Sequence, residues 1–194
     1  MNIVVCIKQI PDVDDIKWTK ENNLDRSNML SKINPLDECA LDWALDIKSK
    51  YKNVNITVFS MGPNQAIEIL NYALAKGATR AILLSDKAFS GSDTYITAKI
   101  LSAAIKKYTP HFDLILTGQA AQDGDTEQTH ISIAQNLEII DTVSVVSIPN
   151  ADKNRVIAVQ ELGDIINTFE LKTPCLLAVK KPCDSIFIDR KSTR

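Results

Sequence analysis

The stretch Gly118–Thr129 combines small, amide, hydroxyl and carboxylate side chains in one unbroken run. It follows an apolar run at 112–117 and precedes an apolar-periodic segment at 131–137, which predicts a strand, a tight polar loop and a helix start. In open α/β sheets, ligands bind beyond the carboxyl ends of the strands. A helix N-terminus adds unpaired N–H groups and a partial positive charge, which suit phosphate. The sequence therefore predicts that this loop holds the phosphate of a nucleotide.

The side chains of this loop are predicted to have different roles. Asp125 is predicted to be the N-cap of a helix over 126–137, with Gln128 closing a capping box three residues on. Gly124 permits a left-handed or crowded backbone that brings amides towards a ligand. Uncharged hydrogen bonds to phosphate oxygens can come from Thr126, Gln128 and Thr129, while Asp123 can accept from a ribose hydroxyl or fix the loop. The alternative is a well-capped helix that follows a polar turn and binds nothing.

Other polar residues give no catalytic pattern. Neither a G-x-G-x-x-G nor a Walker A loop occurs, and no G-x-S-x-G elbow is found. His130 has no nucleophile partner, so we expect a surface or hydrogen-bonded histidine rather than a base. The acidic group at 12–15 lacks the glycine and distal glutamate of a calcium loop. The residues alone therefore favour binding over catalysis.

Composition excludes several classes of protein. The net charge is −2 without a long basic run, which removes the usual electrostatic footprint of nucleic-acid binding. No apolar stretch approaches the roughly 20 residues of a membrane span, and the first residues have no signal-peptide layout. The four cysteines form no C-x-x-C pair, so we expect reduced, structural thiols. A cytoplasmic protein is expected.

Strand and helix patterns alternate along the first 140 residues, which predicts a parallel, doubly wound α/β sheet. Asn34 suits a helix N-cap before Pro35, and Gly77 suits a helix end. The segment 13–31 is predicted to be an excursion, with a hairpin around 21–23. The predicted strands cover 3–7, 55–59, 81–84 and 112–117, and the predicted helices cover 35–51, 64–76, 93–108 and 126–137.

After residue 140 the pattern changes to short β-branched segments at 142–147, 155–161, 165–171 and 175–179. The residues at 150–154 and 162–164 supply predicted turns. We interpret these segments as a C-terminal antiparallel strand extension of the sheet, or a small second sheet, starting at about residue 142. Residues 1–181 are predicted to form a single domain, and 182–194 a short tail.

Taken together, these segments closely resemble the β subunit of electron transfer flavoprotein. The resemblance covers roughly residues 1–180, in order. The matching segments are Val5–Asp12, Ile33–Leu41, Phe59–Pro63, Ala73–Ser85 and Asp113–Thr129.

The resemblance implies an adenine-nucleotide α-hydrolase-like fold and a structural role in electron transport. The family's β subunit pairs with an α subunit that holds the redox-active FAD, and its own pocket binds AMP, or a second FAD in bifurcating members. The loop at 10–16 and the Asn34-Pro35 turn would approach the α-subunit flavin, and the chain itself would perform no bond chemistry. Carried over by matching position, the cofactor contacts would be Cys6, Asn34, Pro35, Leu36, Asp37, Met61, Gly118, Gln119, Ala120, Ala121, Gln122, Asp123, Gly124, Asp125, Thr126, Glu127, Gln128 and Thr129.

The chain also departs from the family pattern. Leu36 stands where many members have an aromatic residue, and Gln160 where a basic one is usual. Residues 182–194 stand in place of the family's docking loop and lysine-rich arm, which predicts weaker docking to an acyl-CoA dehydrogenase and a less tightly wrapped heterodimer. Two alternatives stay open: a stand-alone adenine-nucleotide sensor or scaffold of universal-stress-protein type, and a nucleotide-hydrolysing or ligating enzyme.

Overall fold

The computed structural model describes residues 1–11 and 31–183. Within them, six parallel strands form the central sheet, in the spatial order β5–β4–β1–β6–β11–β7 once the strands are numbered along the chain. These strands are β1 Asn2–Cys6, β4 Asn55–Met61, β5 Arg80–Leu84, β6 Leu114–Gly118, β7 Thr142–Val145 and β11 Cys175–Val179. The predicted parallel, doubly wound α/β fold is confirmed.

Helices cover both faces of this sheet. They are α1 Pro35–Lys50, α2 Ile67–Lys76, α3 Thr94–Tyr108 and α4 Thr129–Asn136, with short 3-10 turns at Asn64–Ala66 and Lys87–Phe89. Alternate side chains of β1 enter two separate cores, because successive residues of a strand point to opposite faces. Ile3 and Val5 join the core beneath α1 and α2, whereas Val4 and Cys6 join the core beneath α3 and α4.

Local signals set several helix boundaries as predicted. Pro35 is the first residue of α1, where its missing N–H and fixed φ do no harm. Asn34 occupies the N-cap position, but its side chain makes no capping hydrogen bond. Gly77, with φ of 122°, ends α2. Asp93 caps α3 by accepting a 2.8 Å hydrogen bond from the N–H of Ile96.

The C-terminal part forms a second sheet, with β9 between its two neighbours. Its strands are β8 Ser147–Ala151, β9 Arg155–Leu162 and β10 Ile165–Lys172, and they pair in antiparallel fashion. This confirms the antiparallel extension. However, β7 and β11 lie in the parallel sheet, and β8 extends into residues 150–151, where a turn is predicted. Ile148 and Ala151 are buried, which fixes β8 against the core.

A two-stranded ribbon returns the chain to the start of α1. β2 Gln9–Pro11 pairs in antiparallel fashion with β3 Ser31–Ile33. The N–H of Asn34 then donates a 2.9 Å hydrogen bond to the carbonyl of Lys8. The ribbon therefore sets the start of α1 beside the carboxyl end of β1. The predicted hairpin at 21–23, the loop at 12–16 and the tail at 184–194 lie outside the described residues.

None of the helices in the described ranges is long and apolar enough to cross a bilayer.

Candidate functional site

A cavity of about 290 Å³ opens at the carboxyl edge of the central sheet, on the face that α3 and α4 cover. The strands β4 and β5 lie on one side of β1, and β6 lies on the other. The chain reverses its direction of strand addition between β1 and β6, and such switch points are where open α/β sheets bind ligands. The residues that line the cavity are Cys6, Ile7, Lys8, Asp37, Met61, Ser92, Asp93, Thr94, Thr97, Leu101, Thr117, Gly118, Gln119, Ala120, Ala121, Gly124, Asp125, Thr126, Glu127, Gln128, Thr129, His130 and Ile133.

The sheet contributes a floor of side chains that share one face. Cys6 and Thr117 are register partners in the parallel pairing of β1 with β6. Burial raises the pKa of the Cys6 thiol to about 12, with a smaller contribution from the charge of Asp37. A thiol of this kind stays protonated, so Cys6 acts as a small apolar residue rather than a nucleophile. The hydroxyl Oγ1 of Thr117 is buried and has no hydrogen-bond partner in the described structure.

The loop between β6 and α4 differs from its predicted form. The helix begins at Thr129 rather than Thr126, and Gln128 is the N-cap residue without a side-chain capping bond. Asp125 therefore caps no helix, and the predicted capping box is wrong. The left-handed backbone expected at Gly124 occurs instead at Asp125 and Glu127, with φ of 42° and 52°. These two non-glycine residues hold an unfavourable backbone conformation at the cavity wall.

Asn34 fixes this loop from behind. Its Nδ2 donates a 2.9 Å hydrogen bond to the carbonyl of Ala120, and its Oδ1 accepts one of 3.2 Å from the N–H of Gln122. The side chain is 1% exposed, so both bonds are shielded from water. Asn34 thus supports the wall without lining the cavity.

Asp37 joins three elements at the back of the cavity. Its Oδ2 accepts a 2.8 Å hydrogen bond from the N–H of Lys8, and its Oδ1 accepts one of 2.9 Å from the N–H of Gly118. Burial raises the pKa of this carboxyl to about 7, although the N–H donors, the Asn34 amide and the Lys8 charge all lower it. The first turn of α1 is thereby attached to the ends of β1 and β6.

The cavity wall is acidic, but the fold already uses several of these carboxylates. Behind the lining, the Oδ1 of Asp123 lies 2.7 Å from Nζ of Lys8, which is on the wall. Glu127 accepts a 2.8 Å hydrogen bond from Nε2 of Gln119, and Asp93 is the α3 cap. In the described residues, Lys8 is the one lysine or arginine on the wall. Any phosphate here would depend on main-chain N–H groups more than on cationic side chains.

His130 is the clearest departure from expectation. It is the second residue of α4 and is 6% exposed, so it is neither a surface residue nor fully hydrogen-bonded. Its Nδ1 is buried without a partner. Burial lowers the pKa of the ring, opposed by the charge of Glu127 and by a hydrogen bond to the Gln119 carbonyl. The available signal was helical spacing, because His130 precedes the buried Ile133 and Ala134 by three and four residues.

Most of the sequence-predicted site residues surround this one cavity. Five of them do not line it: Asn34, Pro35, Leu36, Gln122 and Asp123. The start of α3 is a part of the wall that was not predicted; it lines the cavity through Ser92, Asp93, Thr94 and Thr97. A capping residue after a strand was the available signal there, because Asp93 follows β5 and a short turn. Contact with a nucleotide stays a prediction for all of these residues.

Comparison with known proteins identifies the family of this sequence. The sequence model named electron transfer flavoprotein domain matches residues 22–187. A protein named electron transfer flavoprotein subunit beta, from Thermoanaerobacterium thermosaccharolyticum, is 42% identical over 182 residues, covering 93% of this chain and 68% of its own length.

Two further relatives carry names of larger assemblies. Caffeyl-CoA reductase-Etf complex subunit CarD from Acetobacterium woodii is 41% identical over 182 residues, covering 93% of this chain and 69% of its own length. Acryloyl-CoA reductase electron transfer subunit gamma from Anaerotignum propionicum is 36% identical over 179 residues, covering 91% of this chain and 66% of its own length. With a matching domain over most of its residues and relatives of this identity, the chain belongs to the electron transfer flavoprotein β-subunit family.

Proposed function

We propose that this chain is the β subunit of a heterodimeric electron transfer flavoprotein in the cytoplasm. It binds the adenylate part of a nucleotide in the cavity between β1 and β6, as AMP or as the adenosine end of a second FAD. It helps an FAD shared with the α subunit to shuttle electrons between flavin dehydrogenases and an acceptor. The cavity at the strand switch point, in a chain of this family, is the observation that carries the proposal.

The size of the cavity supports a mononucleotide-sized ligand. Small-molecule sites usually measure about 300–1,000 Å³, so a cavity of about 290 Å³ lies at the small end of that range. An adenylate matches this space better than a complete dinucleotide does. If the ligand is FAD, its flavin end extends beyond the cavity.

The polarity of the wall also supports such a ligand. Three residues of the wall carry a buried polar atom without a partner in the described structure: Oγ1 of Thr117, Oε1 of Gln119 and Nδ1 of His130. Buried polar groups are almost always hydrogen-bonded, so a ligand with polar edges would complete this wall. The first turn of α4 adds N–H groups without intrahelical partners, at the positive end of the helix dipole. These groups can hold a phosphate beside an acidic loop.

The part of this chain in electron transfer is therefore positional. A bound flavin supplies the redox chemistry. The loop at 118–128 and the starts of α3 and α4 fix the nucleotide, and Asp37 and Asn34 hold that loop in place. The described residues contain no group of three or more histidine, cysteine, aspartate or glutamate side chains placed to hold a metal ion.

Co-expression with an α subunit, followed by nucleotide analysis, tests the proposal. The expected product is a yellow heterodimer that releases, on denaturation, one FAD and one AMP, or two FAD. A colourless β chain that does not associate would contradict the proposal. Micromolar AMP binding by that unassociated chain would favour a stand-alone nucleotide-binding module instead.

A matched pair of tryptophan substitutions tests whether this cavity is the site. Thr97 lines the cavity from α3, whereas Lys99 is exposed on the same helix. Thr97→Trp is expected to fill the cavity and abolish the stoichiometric nucleotide of the β subunit, with α-subunit FAD retained. Lys99→Trp should leave both nucleotides bound. Equal nucleotide content in the two variants would place the adenylate elsewhere.

A further inference from the structure

The cavity wall carries more negative than positive side chains. Besides the buried Asp37, its lining includes three exposed carboxylates: Asp93, Asp125 and Glu127. Lys8 alone among the described lining residues is a lysine or arginine, and its charge is already balanced because Nζ lies 2.7 Å from Oδ1 of Asp123. A cleft lined by charges of one sign repels ligands of the same sign. Each negative charge on a ligand must therefore be held by main-chain N–H groups or excluded.

Two helices begin at this cavity, and their N-termini differ. At the start of α3, Oδ1 of Asp93 accepts a 2.8 Å hydrogen bond from the N–H of Ile96, so the chain supplies its own anion there. At the start of α4, the N-cap residue Gln128 makes no side-chain capping bond, and the N–H of Ser132 donates 3.0 Å to its carbonyl. The N–H groups that precede Ser132 have no intrahelical partner. The start of α4 is therefore the place in this cavity that suits one phosphate group.

A second phosphate meets carboxylates instead of donors. Asp125 and Glu127 lie on the wall in the few residues before α4, where both have a left-handed backbone, with φ of 42° and 52°. The carboxylate of Glu127 is also held in position, because its Oε2 accepts a 2.8 Å hydrogen bond from Nε2 of Gln119. A phosphate beside Asp or Glu is disfavoured by like-charge repulsion. A phosphate chain that extends from α4 along this loop is therefore unfavourable.

We propose that Asp125 and Glu127 are specificity-determining residues of this cavity, which reject adenine nucleotides that carry more negative charge than AMP. A terminal phosphate carries a charge of about −2 above neutral pH, so AMP has about two negative charges. The diphosphate of FAD is esterified at both ends and has the same total. ADP and ATP, which share the adenosine, add one and two further charges. Unpaired like charges against the wrong ligand are a common source of specificity.

The inference rests on the proposed function, and it deepens it in one respect. The two ligands proposed there, AMP and FAD, differ greatly in size but have the same phosphate charge. A wall that selects by charge accepts either of them and excludes ADP and ATP. A wall that selects by size would instead favour ADP over the larger FAD.

Calorimetric titration of the nucleotide-free full chain at pH 8 separates charge from size. AMP should bind most tightly, with ADP about 10-fold weaker and ATP weaker again. ADP-ribose is the decisive ligand, because it is larger than ADP but, like FAD, has no terminal phosphate. It should bind more tightly than ADP. The order expected from size, with ADP-ribose weaker than ADP, would overturn the proposal.

Neutral substitutions then assign the effect to the two residues. Asp125→Asn introduces a residue that tolerates the left-handed backbone, and Glu127→Gln keeps an acceptor for Gln119. Each should reduce the ratio of the dissociation constants for ADP and AMP by about 2- to 5-fold at low salt. Glu138→Gln is the matched control, because Glu138 is also exposed with a left-handed backbone, φ of 59°, but lies beyond the other end of α4. It should leave the ratio unchanged.

The outcomes distinguish this inference from the proposed function. If Asp125→Asn and Glu127→Gln both leave the ratio unchanged, or change AMP and ADP binding by the same factor, the inference fails while the proposed function stands. If the wild type binds no AMP or FAD, with or without an α subunit, both fail. Salt provides a further check, because ions screen exposed charges. The preference of the wild type for AMP over ADP should shrink as salt is added, and a preference that stays constant would also overturn the inference.

Discussion

The main-chain N–H of Gly118 donates a 2.9 Å hydrogen bond to Oδ1 of Asp37, 81 residues away in the sequence. The two residues lie so close that a Cβ added at Gly118 would stand 2.4 Å from that oxygen. It would also stand 2.8 Å from the main-chain nitrogen of Asp37. The close approach of α1 to the end of β6 therefore requires a glycine at 118, independently of any ligand.

This contact predicts that Gly118→Ala is destabilising. The added methyl group must displace main-chain atoms of α1, so we expect a loss of about 1–3 kcal/mol in the free energy of unfolding, measured with urea. Gly124→Ala is the matched control in the same loop. A Cβ at Gly124 meets nothing within 4 Å, so the expected change is within about 0.5 kcal/mol. Equal effects of the two substitutions would show that α1 and β6 are not in close contact.

The two hydrogen bonds of Asn34 predict a local effect of Asn34→Ala. Without this side chain, the Ala120 carbonyl and the Gln122 N–H lose their partner in a buried setting. We expect a loss of about 1–3 kcal/mol in the free energy of unfolding. Hydrogen exchange at the Gln122 amide should also become faster, because the loop can open without global unfolding.

An exposed asparagine provides the control for that experiment. Asn64 lies on the 3-10 turn before α2, and Asn64→Ala should change the free energy of unfolding by less than about 0.5 kcal/mol. An unchanged exchange rate at Gln122 in Asn34→Ala would mean that other contacts hold the loop.

The ion pair between Lys8 and Asp123 predicts an effect on ligand affinity rather than on stability. The pair is partly exposed, so Lys8→Met should change the free energy of unfolding by less than about 1 kcal/mol. The substitution leaves the acidic wall without its lysine, so AMP binding should weaken about 2- to 10-fold at low salt. The effect should shrink as salt is added, because ions screen exposed charges.

Calorimetry at two salt concentrations measures this effect, with Lys52→Met as a control. Lys52 is exposed and precedes β4, at the opposite edge of the sheet from the cavity. Lys52→Met should therefore leave AMP affinity unchanged at either salt concentration. A Lys8→Met effect that stays constant with salt would argue against a role for this charge.

Local sequence signals were sufficient for most of the central sheet. Strands such as β1 are continuous apolar runs because they are buried on both faces, and Pro35 and Gly77 mark helix ends through their own backbone restrictions. These signals also placed the loop after β6 at the carboxyl edge. Each of these signals depends only on a few consecutive residues, so it can be recognised in the sequence without knowledge of the fold.

The form of the loop depended on distant residues and could not be predicted. Asp125 and Gln128 have the spacing of a capping box, yet the N–H groups of Gly124 and Asp125 donate to the Ala121 carbonyl, Asn34 holds Ala120 and Gln122, and α4 starts only at Thr129. Tertiary hydrogen bonds here override a local pattern.

The strand β8 and the burial of His130 were also not predicted. β8 contains Pro149 and Asn150, which favour turns, and its pairing with β9 is irregular between Ser147 and Asn150. His130 lies at helical spacing from the buried Ile133 and Ala134, but histidine is not an apolar residue, so the apolar pattern was predicted over 131–137 without it.

The buried carboxyl of Asp37 predicts a pH dependence of stability. Its pKa is raised from 3.8 to about 7, with burial as the largest cause. Between these two pH values, the Asp37 carboxyl therefore keeps its proton in the folded protein but has lost it in the unfolded chain. Asp37 stabilises the fold most at low pH, and that contribution is lost as the pH rises from about 4 towards about 7.

Comparison with Asp37→Asn isolates this effect, because asparagine does not titrate. Asp37→Asn is expected to be less stable than the wild type at low pH, since an amide cannot accept from both N–H groups as a carboxyl can. The stability advantage of the wild type should fall by about 2 kcal/mol between about pH 5.5 and about pH 8. Urea unfolding at several pH values measures it.

An aspartate whose pKa is lowered rather than raised is the control for these measurements at several pH values. Asp152 accepts hydrogen bonds from the N–H groups of Asn154 and Arg155, and these lower its pKa. It is ionised in both the folded and the unfolded chain above about pH 5.5, so the stability difference between the wild type and Asp152→Asn should be flat from there to about pH 8. A flat profile for Asp37→Asn as well would mean that Asp37 is ionised in the folded protein throughout this range. The three donors around it would then outweigh its burial.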